Sequence, residues 1–321
     1  MINGPAKSIL LFGGTGTIGR AAARALVSAG HRVCCVVRQG ADTTTLPEDT
    51  QIWHAMGDDG TLLWDAGDLT GYDAVVSCLA SRTGAPQDAW RVDHDLNAAV
   101  LDAAQTAGIQ QFVLLSAICV QKPALAFQQA KLAFEAKLIS SGLTYSIVRP
   151  TAFFKSLSGQ VARVQAGKPF LLFGDGALTA CKPISDRDVG RFLALCLTDA
   201  ALQNKVLPVG GPGEAMTPRQ QGEMLFELTG QTPKFRAIPV RIMNGIIGAL
   251  TLGGHLSPSL RAKAELARIG RYYATESMLV WDGSQYDAAA TPSFGSDTLR
   301  DHYRAMIAGD VAADLGDHAV F

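Results

Sequence analysis

The sequence predicts an α/β fold: a doubly wound parallel sheet with helices on both faces, followed by a smaller carboxyl-terminal covering region. Three observations predict it. Short apolar runs alternate with helix-length segments through the first 150 residues, the spacing of successive βαβ units. A glycine-rich turn, Gly13-Gly14-Thr15-Gly16-Thr17-Ile18-Gly19, stands directly between the first apolar run and the first helix. Beyond Pro150 glycine and proline become denser and the regular alternation lapses.

The elements follow in order. Ile9 to Phe12 reads as a buried strand, Arg20 to Ala29 as an alanine-rich helix, and His31 to Val37 as a second strand closed by Arg38. In such a unit Gly14 and Gly16 are expected where the backbone turns tightly and approaches a pyrophosphate, and Gly19 where the helix packs close to the strand. The free N–H groups of the helix N-terminus complete an anion site, so Gly13 through Gly19 form the candidate dinucleotide cradle. Arg38 refines it. An NAD site carries an acid at the end of the second strand, whereas a guanidinium suits a 2′-phosphate, so the cofactor expected is NADPH.

Gln51 to Met56 is a third strand, followed by Gly57-Asp58, with Asp58 placed near the adenine. Tyr72 to Cys78 is a fourth strand, followed by Leu79-Ala80-Ser81. Gln87 to Ala107 reads as one long helix with Val92, Leu96, Val100, Leu101 and Ala104 on one face. Phe112 to Leu115 is a fifth strand ending at Ser116, Phe127 to Ser140 a helix, and Thr144 to Val148 a sixth strand stopped by Arg149-Pro150. The carboxyl ends of these strands converge on one crevice. That places Leu79, Ala80, Ser81, Ser116, Pro150 and Phe153 beside the cofactor. Further on, Lys182 to Leu197 reads as a returning helix, Val206 to Val209 as a strand, and Thr217 to Thr229 as a helix with Thr217 as N-cap and Pro218 at its first position. The expected division is a dinucleotide-binding domain over 1–150 and a substrate-binding region over 151–321, with some elements returning to the main sheet.

Composition bounds the function. The 321 residues are 48% hydrophobic and 18% charged, enough for a large core. The net charge of −1 gives no reason to expect a nucleic-acid partner. The six cysteines, at 34, 35, 78, 119, 181 and 196, show no metal-ligand spacing and several lie in apolar runs, so no metal is expected and the compartment reads as reducing and cytoplasmic. Met1 to Lys7 reads as neither a signal nor a transit peptide. The apolar stretch Ile242 to Leu252 is too short to span a bilayer. Burial in a substrate-covering helix is the expectation for it, with loose contact at a membrane surface as the alternative. Oligomeric state is not legible.

With these elements in place the chain resembles the short-chain dehydrogenase/reductase superfamily in its extended or atypical branch. The usual Tyr-x-x-x-Lys of that superfamily falls on Phe127-Gln128-Gln129-Ala130-Lys131, so the lysine is present and phenylalanine replaces the tyrosine. Phenylalanine donates no proton, which argues against carbonyl reduction. Longer runs are more specific. Leu114 through Pro123, Tyr145 through Leu157, Phe173-Gly174-Asp175-Gly176, Ala180 through Asp186 and Ile269 through Met278 resemble the NADPH-dependent type of divinyl chlorophyllide a 8-vinyl reductases, over about residues 8–305. That family also has Phe in place of the Tyr.

The resemblance implies reduction of a ring-B vinyl group of a divinyl tetrapyrrole to ethyl, in chlorophyll or bacteriochlorophyll synthesis, with NADPH as hydride source. Charge then spreads into the macrocycle and no alkoxide needs a tyrosine acid. It implies that Lys131 is the catalytic residue, bonding the nicotinamide ribose and stabilising the developing anion. Phe127 and Phe154, with Phe153, are candidate apolar walls; Tyr272, Tyr273 and Met278 are weaker ones. Lys155, Lys182 and Arg271 are candidates for the substrate's propionate. Tyr145 is a candidate proton donor, with a place in the sixth-strand core as the alternative. Another alkene reductase of the same fold, a non-catalytic NADP(H) sensor and a structural subunit of a redox complex remain open.

Overall fold

The computed structural model describes residues 5–57, 61–64, 66–81, 85–254 and 257–311. Asp58 lies outside them.

The chain opens with β1 (Ser8–Phe12), α1 (Thr17–Ser28), β2 (Arg32–Arg38), β3 (Thr50–Met56) and β4 (Ala74–Ser77). The predicted long helix is interrupted. A short α2 (Pro86–Ala89) widens into a π-helical stretch, Trp90–Leu96, and resumes as α3 (Asn97–Thr106). Asn97 sustains the wide turn by donating to the Val92 and Asp93 carbonyls at 3.1 and 3.3 Å, groups an α-helical ladder would have used. Then come β5 (Gln111–Leu115), α4 (Ala126–Ile139) and β6 (Thr144–Pro150).

The later part holds α5 (Phe154–Leu157), α6 (Val161–Gln165), β7 (Phe170–Phe173), α7 (Asp186–Leu195), β8 (Lys205–Val209), α8 (Pro218–Thr229), β9 (Phe235–Ile238), α9 (Val240–Gly254) and α10 (Pro258–Thr275). The hairpin β10 (Val280–Trp281) and β11 (Tyr286–Asp287) and the helix α11 (Leu299–Ala308) follow. The helix expected from Lys182 starts later, because Cys181 and Ile184 form extended bridges and the Ser185 hydroxyl caps α7 at the Asp188 N–H. Thr217 caps α8 as expected, with Pro218 at its first position.

Seven parallel strands form the main sheet in the order β3-β2-β1-β4-β5-β6-β8. Strand β8 and helix α7 come from beyond Pro150, so the later half contributes to the sheet and its cover. The pleat of β1 sorts the core into two layers. Ile9 and Leu11 face α1 and α7, with Val189 and Leu193. Leu10 and Phe12 face α3 and α4, with Leu101 and Phe134. Ile9, Leu10, Leu11 and Phe12 are all fully buried, each contributing roughly 1.5–3 kcal/mol relative to exposure. Gly190 lets α7 seat on α1: a Cβ there would lie 2.6 Å from the Ala21 backbone. A third cluster, around Phe226 and Tyr303, joins β7, α6, α8 and α11. Helix α9 departs from expectation. Its apolar side is exposed, with Ile242, Ile246 and Leu252 at 53%, 50% and 73%, because its main packing among the described residues is against α10.

Among the described residues no helix is long and apolar enough to cross a membrane. Among them, too, no group of three or more His, Cys, Asp or Glu is placed to hold a metal ion.

Candidate active site

The strand order reverses between β1 and β4, and the glycine turn stands at that switch point. The tight turn belongs to Gly13 rather than Gly14. Gly13 has φ +73°, and a Cβ on it would meet the Cys78 carbonyl oxygen at 2.6 Å. Gly14 instead packs on β2, where a Cβ would lie 2.8 Å from Cys35 Sγ. Gly19 holds α1 against the turn: a Cβ would fall 2.0 Å from the Gly13 oxygen. Gly16 differs. Its added Cβ would meet only the Gly13 oxygen, at 3.4 Å, so this glycine faces open space. Gly16 is also the N-cap of α1, and neither a side-chain cap nor a first-turn acid occupies that end. The first-turn amides of α1, which an α-helix leaves without intrahelical partners, thus have no side-chain cap; they stand beside Thr15, whose carbonyl accepts from Arg20. The cradle fits a pyrophosphate. Arg38 sits half-buried at the end of β2.

Across the switch point lies a buried polar cluster built from three elements. Lys131 Nζ, on α4, is 2.9 Å from Asp93 Oδ1, with side-chain exposures of 11% and 1%. Asp93 also accepts from the Ser81 hydroxyl at 2.8 Å. The π-helical turn carries Asp93 inward, and Asn97 one turn on accepts from Ser77 at 2.6 Å, tying the helix to β4. Lys131 is close enough to Cys78 and Cys119 that its charge pulls both thiols down, while burial dominates and pushes Cys78 up to about 12 and Cys119 above its ordinary value.

The start of α4 is fixed by fully buried Gln128. Its oxygen accepts from the Ala124 and Leu125 N–H groups at 2.7 and 2.9 Å, and its amide donates to the Cys119 carbonyl at 3.0 Å. This anchors Phe127 and Lys131, one turn apart on the helix. Phe127 packs against a cluster of Ile118, Cys119, Tyr272 and Met278. Tyr272 donates to the Cys119 and Lys122 carbonyls. The Tyr273 hydroxyl lies 3.8 Å from Cys119 Sγ. Tyr273 is 39% exposed, and desolvation of its hydroxyl together with neighbouring Cys119 pushes that hydroxyl well above its ordinary value.

Other expected site residues stand elsewhere. Ser116 is turned inward, donating at 2.5 Å to Glu135, which also pairs with Arg149. Leu79 is buried under the glycine turn, Ala80 is exposed and Pro150 is buried beside Val209. Phe153 bridges to Ile184 and packs on the α1–α7 layer. Phe154 is not a wall. It is 4% exposed in the Phe226–Tyr303 cluster, its ring 5.3 Å from that of His302. Lys155 reaches the cofactor loop, with Nζ 3.1 Å from Thr17 Oγ1, rather than a substrate space. Lys182 is committed to the Thr291 carbonyl and Ser293. Tyr145 packs on the Phe112–Phe134 side of the core.

Sequence reasoning missed Asp93, Gln128, Glu135 and Arg149. Asp93 left one trace, a carboxylate between the apolar positions Val92 and Leu96.

A glycine cradle at the switch point of a doubly wound sheet, with an outward-facing helix N-terminus and a buried lysine opposite, defines an NAD(P)H-binding oxidoreductase of the extended short-chain type. The family model described as NAD(P)H-binding matches residues 13–200. The chain is 46% identical to the chloroplastic divinyl chlorophyllide a 8-vinyl-reductase of Zea mays, over 98% of this chain and 83% of that one. It is 43% identical to that of Arabidopsis thaliana, over 97% and 79%. The chain belongs to the divinyl chlorophyllide a 8-vinyl-reductase family. Among solved structures it is similar in fold to the NADPH-dependent quinone oxidoreductase QOR2 of Escherichia coli, with a TM-score of 0.68, 17% identity, and coverage of 93% of this chain and 99% of that one.

Proposed function

We propose that this chain reduces the 8-vinyl group of divinyl chlorophyllide, or of divinyl protochlorophyllide, to ethyl with NADPH. The observation that carries the reading is the 46% identity to a reductase of that name along nearly the whole chain. NADPH supplies the hydride. In this reading the Gly16 turn and the first-turn amides of α1 hold the pyrophosphate, Lys155 adds a charge beside Thr17, and Arg38 takes the 2′-phosphate. Lys131, positioned by Asp93 and Ser81, bonds the nicotinamide ribose and lends positive charge to the electron-rich macrocycle. Phe127 serves as apolar wall, where a phenol would have no alkoxide to serve.

A loose contact with a lipid surface also belongs to this reading. Helix α9 exposes an apolar side, and residues 234–275 carry seven Lys or Arg against one Glu.

The test is incubation with divinyl chlorophyllide a and NADPH deuterated on both faces of C4. An 8-ethyl product carrying one deuterium on its outer carbon is expected. A pigment recovered without deuterium, while NADPH binds, would shift the reading to another alkene reductase or to a cofactor sensor.

A further inference from the structure

A cavity of about 730 Å³ lies between residues 122–125, at the head of α4, and the α9–α10 hairpin. That volume is in the range of sites for drug-sized ligands, roughly 300–1,000 Å³. Leu125, Ile247 and the Tyr272 ring give it apolar walls, and Lys122, Arg268 and Arg271 give it cations.

The three cations are not equivalent. Lys122 Nζ is 2.6 Å from Glu276, the one carboxylate among the residues that line the cavity. Arg268 bonds Glu265 at 2.9 Å and Thr251 at 2.8 Å. Among the described residues the Arg271 guanidinium makes no hydrogen bond or ion pair. Its charge helps hold the Glu276 carboxyl below its ordinary value, but Glu276 Oε2 already accepts from Lys122 and from Tyr286 at 2.7 Å. A guanidinium presents five donors in a planar fork that matches a carboxylate. The other two candidate cations, Lys155 and Lys182, are engaged at the cofactor loop and at residues 291–293.

Resting on the reading above, we propose that this cavity binds a large, flat, apolar ligand through one free carboxylate, received by Arg271. For a tetrapyrrole that group is the propionate. The position suits it. Leu125 and Tyr272 belong both to the cavity wall and to the cluster against which Phe127 packs. At 1.5 Å per residue, Leu125 to Lys131 is about 9 Å along α4. The ring system therefore extends from Arg271 toward Lys131, and the free acid is the substrate form this chain selects over an ester.

The test measures binding of divinyl chlorophyllide a and its methyl ester, without NADPH, by the shift in pigment absorbance. The proteins are the full chain, Arg271→Met and Arg271→Lys. The full chain is expected to bind the acid at least tenfold more tightly than the ester. Arg271→Met weakens the acid at least tenfold and the ester less than twofold, and Arg271→Lys falls between. Because Arg271 is exposed, Tm and NADPH affinity stay at wild-type values, which separates the effect from misfolding. Equal loss for acid and ester, unchanged acid binding in Arg271→Met, or no pigment binding by the full chain overturns the proposal. If the full chain reduces the divinyl pigment and Arg271→Met does not discriminate, this inference fails and the reductase reading stands. If the full chain selects the acid through Arg271 but never reduces it, the reductase reading fails and this one stands.

Discussion

Replacing Lys131 with Met separates the ion-pair role that the structure shows for that side chain from the catalytic role proposed for it. Lys131 is the ion-pair partner of Asp93, whose side chain is 1% exposed, and without it Ser81 is the side-chain partner left to Asp93 among the described residues. Breaking a buried pair from one side costs about 3–5 kcal/mol, and the 11% exposure of Lys131 places this case near about 3. At roughly 2 °C per kcal/mol for a chain of this size, Tm falls by about 6 °C. Adding Asp93→Asn removes the stranded charge and keeps an acceptor for Ser81. The double variant is expected to recover about 2 kcal/mol, or roughly 4 °C, a coupling within the span found for contacting residues. Activity does not recover. Both variants are expected to lose at least about 100-fold in kcat/KM for NADPH oxidation, since the charge proposed to act at the nicotinamide is gone. Thermal unfolding followed by circular dichroism, beside steady-state kinetics, reads both. A double variant no more stable than Lys131→Met would refute the pairing as a unit, and full activity in either would refute the catalytic role.

Gly19→Ala drives a Cβ into the Gly13 oxygen and is expected to yield little folded protein, whereas Gly16→Ala folds with wild-type Tm and binds NADPH at least tenfold more weakly by titration. Ser116→Ala leaves Glu135 paired with Arg149, so it costs about 1 kcal/mol in denaturant unfolding and leaves KM for NADPH unchanged. Burial and then the Lys7 charge hold His31 below its ordinary value, so below pH 6.5 the unfolded chain binds the extra proton. The His31 contribution to stability is therefore whole above pH 6.5 and declines as pH falls toward the folded value; Tm measured from pH 7.5 to 5 is expected to fall less steeply in His31→Gln.

The sheet was legible because its strands are continuous apolar runs and its first turn is spelled in glycines, both local signals. The cradle from Gly13 to Gly19 came with them, although the turn glycine is Gly13, since which glycine takes the positive φ depends on the approach of Cys78. The place of Lys131 one turn beyond Phe127 on α4 was legible from their spacing, but its pairing with Asp93 was not. The inward course of Asp93 depends on a π-helical turn, and apolar periodicity reports only α geometry. Phe154 and Lys155 were misplaced for a related reason: a short helix, α5, turns the first into the carboxyl-terminal cluster and the second back to Thr17. The α9 stretch looked like core by composition, and tertiary packing leaves it exposed.

The most direct test incubates the purified protein with divinyl chlorophyllide a and either NADPH or NADH, and separates the pigments by chromatography. A monovinyl product with NADPH and little with NADH is expected, with Arg38→Ala narrowing the difference. An unchanged divinyl pigment in the presence of tightly bound NADPH would contradict it.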